Sequence, residues 1–149
     1  MENESYKISR IGTFIFEFTS VGTKPLLKRI SFDEIEHGTG IYNLALGTVL
    51  ENGSVNFRDS TNNGDVVKIF STIVRCIKIF ASSLPGSIIF FSGNTDQKTR
   101  VYNAILRRYC DEFSITFNIF GVSTIDGNTF VRKFEKSESY SGFYLILKN

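Results

Sequence analysis

The sequence predicts a single α+β domain: an antiparallel or mixed sheet of about seven to eight strands with two amphipathic helices, near residues 65–82 and 96–113, packed on it. Three observations carry this. Fifteen Phe and six Tyr against no Trp and one Met give a core of phenyl rings and β-branched aliphatics, a composition that favours sheet. Two central stretches repeat apolar residues every three or four positions, the spacing of one helix face. Short alternating segments flank them, bounded by turns rich in Gly, Asn and Asp. At 149 residues one domain is expected, long enough to bury roughly two thirds of the surface its extended chain exposes.

Residues 13–19 (Thr-Phe-Ile-Phe-Glu-Phe-Thr) alternate as a strand, and residues 26–32 form a second beyond a turn containing Gly22 and Pro25. A third covers residues 42–50. Glu51-Asn52-Gly53 then closes a hairpin onto residues 54–58, because Asn and Gly accept the positive φ of tight hairpin turns. The polar run at residues 59–65 leads into the first helix, with Asn62 and Asp65 spaced as an N-cap and a third-position acceptor. Val66, Ile69, Phe70, Ile73, Ile77 and Phe80 form its apolar side; Lys68, Ser71, Arg75 and Lys78 form the other. Pro85-Gly86 ends it and turns the chain into a strand at residues 87–91. The second helix gathers Val101, Tyr102, Ile105, Leu106, Tyr109 and Phe113 on one face, with Asp96, Arg100, Asn103 and Arg107 opposite. Strands at residues 115–122, 129–134 and 143–148 close the domain, with Asp126-Gly127-Asn128 as a hairpin turn.

Composition narrows the function classes. Cys76 and Cys110 both fall inside helices and read as reduced thiols of a cytoplasmic protein, with no signal-peptide pattern at the N-terminus. Apolar runs are far shorter than the ~20 residues of a membrane span, so no membrane association is expected. The net charge of +2 does not by itself argue for nucleic acid. It is unevenly spread, however: residues 65–113 carry seven Lys and Arg against four Asp and Glu, a modest attraction for phosphate. Ordinary solvated helix faces account for the same charges.

The strand, turn and helix from Ile88 to Tyr109 form the segment best suited to hold something. A Gly-containing turn that feeds a helix start aims free amides and the positive end of the helix dipole at one point. There Gly93, Asn94, Thr95, Lys98, Thr99 and Arg100 could surround a phosphate. The glycine spacings of a P-loop and of a dinucleotide fingerprint are both missing. The competing reading is a helix cap, with Asn94 accepting from the helix and Gln97 reaching back. Arg100 and Arg107, with Arg108 beside them, make a cationic stripe suited to a phosphate backbone. Against it, Asp96 can pair with Arg100, and Asp111 with Arg107. If the sheet order sets Asp59, Asn62, Asn63 and Asp65 beside residues 93–99, two helix starts share one cleft with acids on one wall and cations on the other. Such a cleft suits a metal-bridged phosphate or a general base beside a phosphoryl group. Loop acids that cap a helix explain the same residues.

His37, the only histidine, follows Asp33, Glu34 and Glu36 without a second His or Cys at ligand spacing, so neither a metal nor another cofactor is expected. No Gly-x-Ser-x-Gly elbow supports a nucleophilic triad. Cys76 reads as an inert core thiol, and the charges of Arg107 and Asp111 beside Cys110 largely cancel.

Tyr42-Asn43-Leu44-Ala45-Leu46-Gly47, Asn63-Gly64-Asp65, Ser92-Gly93-Asn94-Thr95, Thr99-Arg100-Val101-Tyr102, Phe120-Gly121 and Phe134-Glu135-Lys136 with Tyr140 and Phe143 resemble a family of small bacterial proteins catalogued only as a domain of unknown function. The resemblance runs from about residue 14 to residue 147. It implies one compact domain with recurring features at residues 63–65 and 93–102, and it supplies no activity. The first expectation is therefore a domain that binds a phosphate-bearing ligand, a nucleotide or nucleic acid, at the strand-turn-helix seat. Two others stand beside it: an interaction module with a small protein partner, such as one member of a toxin-antitoxin-like pair, and a phosphate-ester hydrolase or nuclease using Asp59 or Asp65 with Lys98 and Arg100.

Overall fold

In the computed structural model, residues 4–58, 63–93 and 95–148 are described. The order of elements is β1 (Ser9–Ile11), β2 (Ile15–Ser20), β3 (Leu26–Glu34), β4 (Ile41–Val49), β5 (Val55–Asn56), α1 (Val66–Ser83), β6 (Ile88–Phe91), α2 (Asp96–Thr116), β7 (Phe117–Ile125), β8 (Asn128–Lys133) and β9 (Gly142–Leu147). The strands form one mixed nine-stranded sheet, ordered β1-β2-β3-β4-β6-β9-β7-β8, with β5 paired to β4. Every pairing is antiparallel except β4 with β6.

The architecture is the expected one, with differences at the ends of elements. β1 is an additional strand, three exposed residues long, whose alternation is too short to read. α2 continues through Ser114 and on through Ile115 and Thr116, the two residues that the sequence assigns to the following strand; β-branched residues weaken a helix, but here it ends only where Phe117 enters the core. β7 then runs on to Ile125, three residues further than its apolar pattern.

Both helices cover the same side of the sheet, because their aromatic residues meet each other as well as the strands. Phe70 of α1 contacts Phe91 of β6 and Tyr102 and Phe113 of α2, with ring centroids 5.6 to 6.1 Å apart. Phe80 of α1 stacks on Phe32 of β3 at 4.1 Å. Such aromatic contacts contribute on the order of 0.5–1.5 kcal/mol each beyond the area they bury. The sheet's other side is more polar near β2 and β3, where Glu17 and Arg29, directly opposite in register, form an ion pair at 2.7 Å.

The one parallel pair sets the location of the site. β6 covers β4 only at Ile41–Asn43, and β5 covers it only at Thr48–Val49. Between them the same edge of β4 has neither strand beside it. α1 begins after β4 and β5, and α2 begins after β6, so both helices start at the C-terminal end of this pair.

Candidate functional site

Two clefts open at that end. The first, about 170 Å³, lies between the helix starts: Asn63, Asp65 and Val66 stand on the α1 side, Gln97 and Lys98 on the α2 side, Lys28 and Thr48 come from the sheet, and Phe70, Ile73 and Tyr102 supply apolar walls. The second, about 230 Å³, lies along the uncovered edge of β4 and reaches Phe57 and Ser92. Leu46, Lys98 and Tyr102 line both. Asn63 and Asp65 thus do share a cleft with the start of α2, the arrangement that depended on sheet order, with Asp65 and Lys98 as its opposite charges. Asp59 and Asn62 lie outside the described residues.

At α2 the turn is closed by the chain's own groups. The N-cap is Thr95, whose side chain accepts from the Lys98 amide at 3.1 Å. Asn94, the residue expected to cap, lies outside the described residues. The Thr99 hydroxyl is 3.1 Å from the Gly93 carbonyl and 3.0 Å from that of Thr95, and donates between them. Gly93 itself touches the first turn so closely that a Cβ would strike the backbone of Lys98 and Thr99. Its glycine serves that approach. Lys98 donates to the Phe57 carbonyl at 3.1 Å, bridging from α2 to the β5 hairpin.

At α1 the arrangement is different. Asp65 occupies the N-cap position but makes no side-chain cap bond. Its Oδ2 instead accepts from the Tyr6 and Ser20 hydroxyls, each at 2.5 Å, while its Oδ1 is buried without a hydrogen-bond partner among the described residues. Burial, reinforced by the hydrogen bond to Asp65, raises the Tyr6 phenol above its ordinary value. Asn63, almost fully buried, donates to Ser20 Oγ at 2.8 Å and to the Lys24 carbonyl at 2.6 Å and accepts from the Lys24 amide at 3.0 Å. Asn63 and Asp65 therefore fasten the turn after β2 to the start of α1.

Lys28 is the residue that sequence reasoning missed. It is 6% exposed and donates to Thr48 Oγ1 at 2.6 Å, inside the first cleft. Its signal was the strand period, which puts Lys28 on the face of Ile30 and Phe32. An ammonium held this far from water is costly unless hydrogen bonds and negative charge surround it.

The cationic stripe is divided. Arg107 donates to the Lys136 carbonyl at 2.9 Å and to Ser139 Oγ at 3.2 Å, holding the connection between β8 and β9. Asp111 pairs with Lys136 at 3.0 Å and not with Arg107, so that expected pair does not form. Arg100 is exposed, with no ion pair to Asp96 among the described residues, and neither Arg100 nor Arg107 lines the clefts. Asn103, placed opposite the apolar face by periodicity, is buried instead: it accepts from the Tyr140 amide and donates to the Tyr140 carbonyl, both at 2.8 Å.

Elsewhere, Glu34 accepts from the amides of Gly38 and Gly40, so the acidic run before His37 shapes the β3–β4 turn. The His37 side chain is fully exposed, 3.8 Å from Glu34. Among the described residues, no three His, Cys, Asp or Glu side chains are grouped to hold a metal ion. Among the described residues no helix is long and apolar enough to cross a membrane. Cys76 is a free, buried thiol, pushed up to about 12 by burial against a smaller opposing effect of Arg75.

Fold and clefts together define a small α+β domain with a recess at the C-terminal end of a parallel strand pair. The chain belongs to a family of unknown function, DUF6934, which matches residues 2–148. No curated protein and no solved structure matches the chain.

Proposed function

We propose that this domain binds a nucleotide in the cleft between the helix starts, with the phosphate against Lys28 and Lys98 and the ring against Phe70 and Tyr102. The observation that carries the reading is the nearly buried Lys28 in a largely apolar cleft whose opposite wall holds a second lysine. Low local polarity strengthens the attraction of both ammonium groups for an anion. The unmatched Oδ1 of Asp65 favours a ligand with a hydroxyl or amino donor over inorganic phosphate, since buried acceptors rarely go unpaired. The location agrees as well: open sheets with helices bind ligands beyond the carboxyl ends of their parallel strands.

This reading moves the anion from the Gly93–Thr95–Thr99 turn, whose groups bond one another, to the lysines beside it. A hydrolase that used Asp65 as its base would have to work through Oδ1, since Oδ2 already accepts two hydroxyls. A protein partner remains a second reading on one observation: β8 is outermost in the sheet, every residue of it is exposed, and it displays Phe130 and Val131.

Thermal melting with nucleoside monophosphates, dinucleotides and short RNA tests the proposal. A ligand at 100 times its Kd adds about 2.7 kcal/mol, which raises the Tm of a domain this size by roughly 5–10 °C. Lys98→Gln and Lys28→Met should each remove most of that rise. No rise with any of the probes, or one that survives both replacements, overturns the proposal.

A further inference from the structure

We infer that the phosphate this site takes is an internal one, a phosphodiester joining two nucleosides, and not the terminal group of a mononucleotide. The inference rests on the nucleotide reading above and adds where the charge of the ligand must lie. Lys98 lines both clefts, together with Leu46 and Tyr102, and its ammonium reaches the Phe57 carbonyl at the second, so the side chain runs along their partition. An anion held there has room for a substituent on each side. A phosphomonoester would leave one cleft filled with water.

The two clefts differ in ways that suit two ends of such a ligand. The first offers the apolar wall of Phe70 and Ile73 and the unmatched oxygen of Asp65, so it takes a ring and one hydrogen-bond donor. The second runs along β4 between Asn43, where pairing with β6 stops, and Thr48, where pairing with β5 begins. A strand edge without a neighbouring strand presents alternating amide and carbonyl groups, the donor and acceptor pattern that a heterocyclic base can meet with its own edge. Phe57, 39% exposed at the rim of that cleft, gives the base a face to stack on. The hydrogen bond from Lys98 to the Phe57 carbonyl ties the anion contact to this stacking platform.

Calorimetric titration of the full chain with AMP, with the dinucleoside monophosphate ApA and with hexaadenylate decides the matter. ApA should bind at least tenfold more tightly than AMP. Hexaadenylate equal to or tighter than ApA identifies a stretch of single-stranded RNA as the source of the diester; hexaadenylate weaker than ApA identifies a free dinucleotide. Ala45→Leu fills the second cleft and should lower affinity for ApA at least tenfold while leaving AMP within twofold. Ser92→Val, outside every element of the fold, should weaken ApA several-fold with AMP unchanged and serves if Ala45→Leu does not fold. AMP binding as tightly as ApA, or both ligands responding equally to these variants, overturns the internal-phosphate inference and leaves the nucleotide reading standing. If none of the three probes binds at millimolar concentration, both fall.

Discussion

The starts of α1 and α2 form opposite walls of one cleft, yet they satisfy their polar groups by different routes. α2 is closed locally: Thr95 caps the Lys98 amide, Thr99 bonds back to Gly93 and Thr95, and all of these groups lie within a few residues. α1 is closed over long range, since Asp65 and Asn63 bond Tyr6, Ser20 and Lys24, residues about 40 or more positions away. The local cap takes the Lys98 amide and the Thr99 hydroxyl, two of the groups that the predicted seat would offer an external anion. Long-range closure leaves Asp65 with one oxygen unpaired and sets it across the cleft from Lys98. The polar character of the site therefore comes from residues brought together by the sheet, and only in part from the strand-turn-helix segment that local pattern singles out.

Disrupting the long-range closure should cost most. Asn63→Ala removes three side-chain hydrogen bonds from a buried position, an expected loss of about 3 kcal/mol, or roughly 6–12 °C in Tm. A loss below 1 kcal/mol in urea unfolding would mean that α1 is not held this way. Asn103→Ala should follow at about 2 kcal/mol, because it strands the buried amide and carbonyl of Tyr140.

The helix bodies differ too, and pH bears on α1. Cys76 of α1 is fully buried with its thiol pushed up to about 12, whereas Cys110 of α2 is half-buried. Above pH 9 the unfolded chain loses this proton and the folded chain keeps it, so the contribution is intact below pH 9 and falls by ~1.4 kcal/mol per pH unit up to about pH 12. Cys76→Ala should flatten the alkaline decline of stability by about that amount at pH 10. Thr95→Ala, a local cap, should cost only about 1 kcal/mol, with nucleotide affinity within twofold of the parent. Smallest of all, Arg100→Ala should change stability by less than about 0.5 kcal/mol and leave mononucleotide affinity unchanged, since its side chain is exposed and lies outside the clefts. A tenfold loss of affinity in either variant would return the anion to the α2 turn.

The same division between local and distant explains what the sequence discloses. The spacing of Val66, Ile69, Phe70, Ile73, Ile77 and Phe80 places α1 within a residue of its observed ends, because helical periodicity is a local property. Asn103 defeats the same logic: its partner Tyr140 is 37 positions away, and a polar residue counted toward solvent is buried by two hydrogen bonds. Arg107 is similar, spent on residues 136–139. Lys28 alternates with Ile30 and Phe32 and so was legible as an inward-facing cation, but its meeting with Asp65 and Lys98 depends on β4 lying beside β3 on one edge and β6 on the other. Strand order of that kind leaves no local trace.

Amide chemical-shift mapping during nucleotide titration tests the central claim most directly. The account predicts the largest perturbations at Lys28, Thr48, Val66, Lys98 and Tyr102, on both walls and the floor of the cleft. Perturbations confined to residues 93–97 and Arg100, with Lys28 and Val66 unmoved, would contradict it.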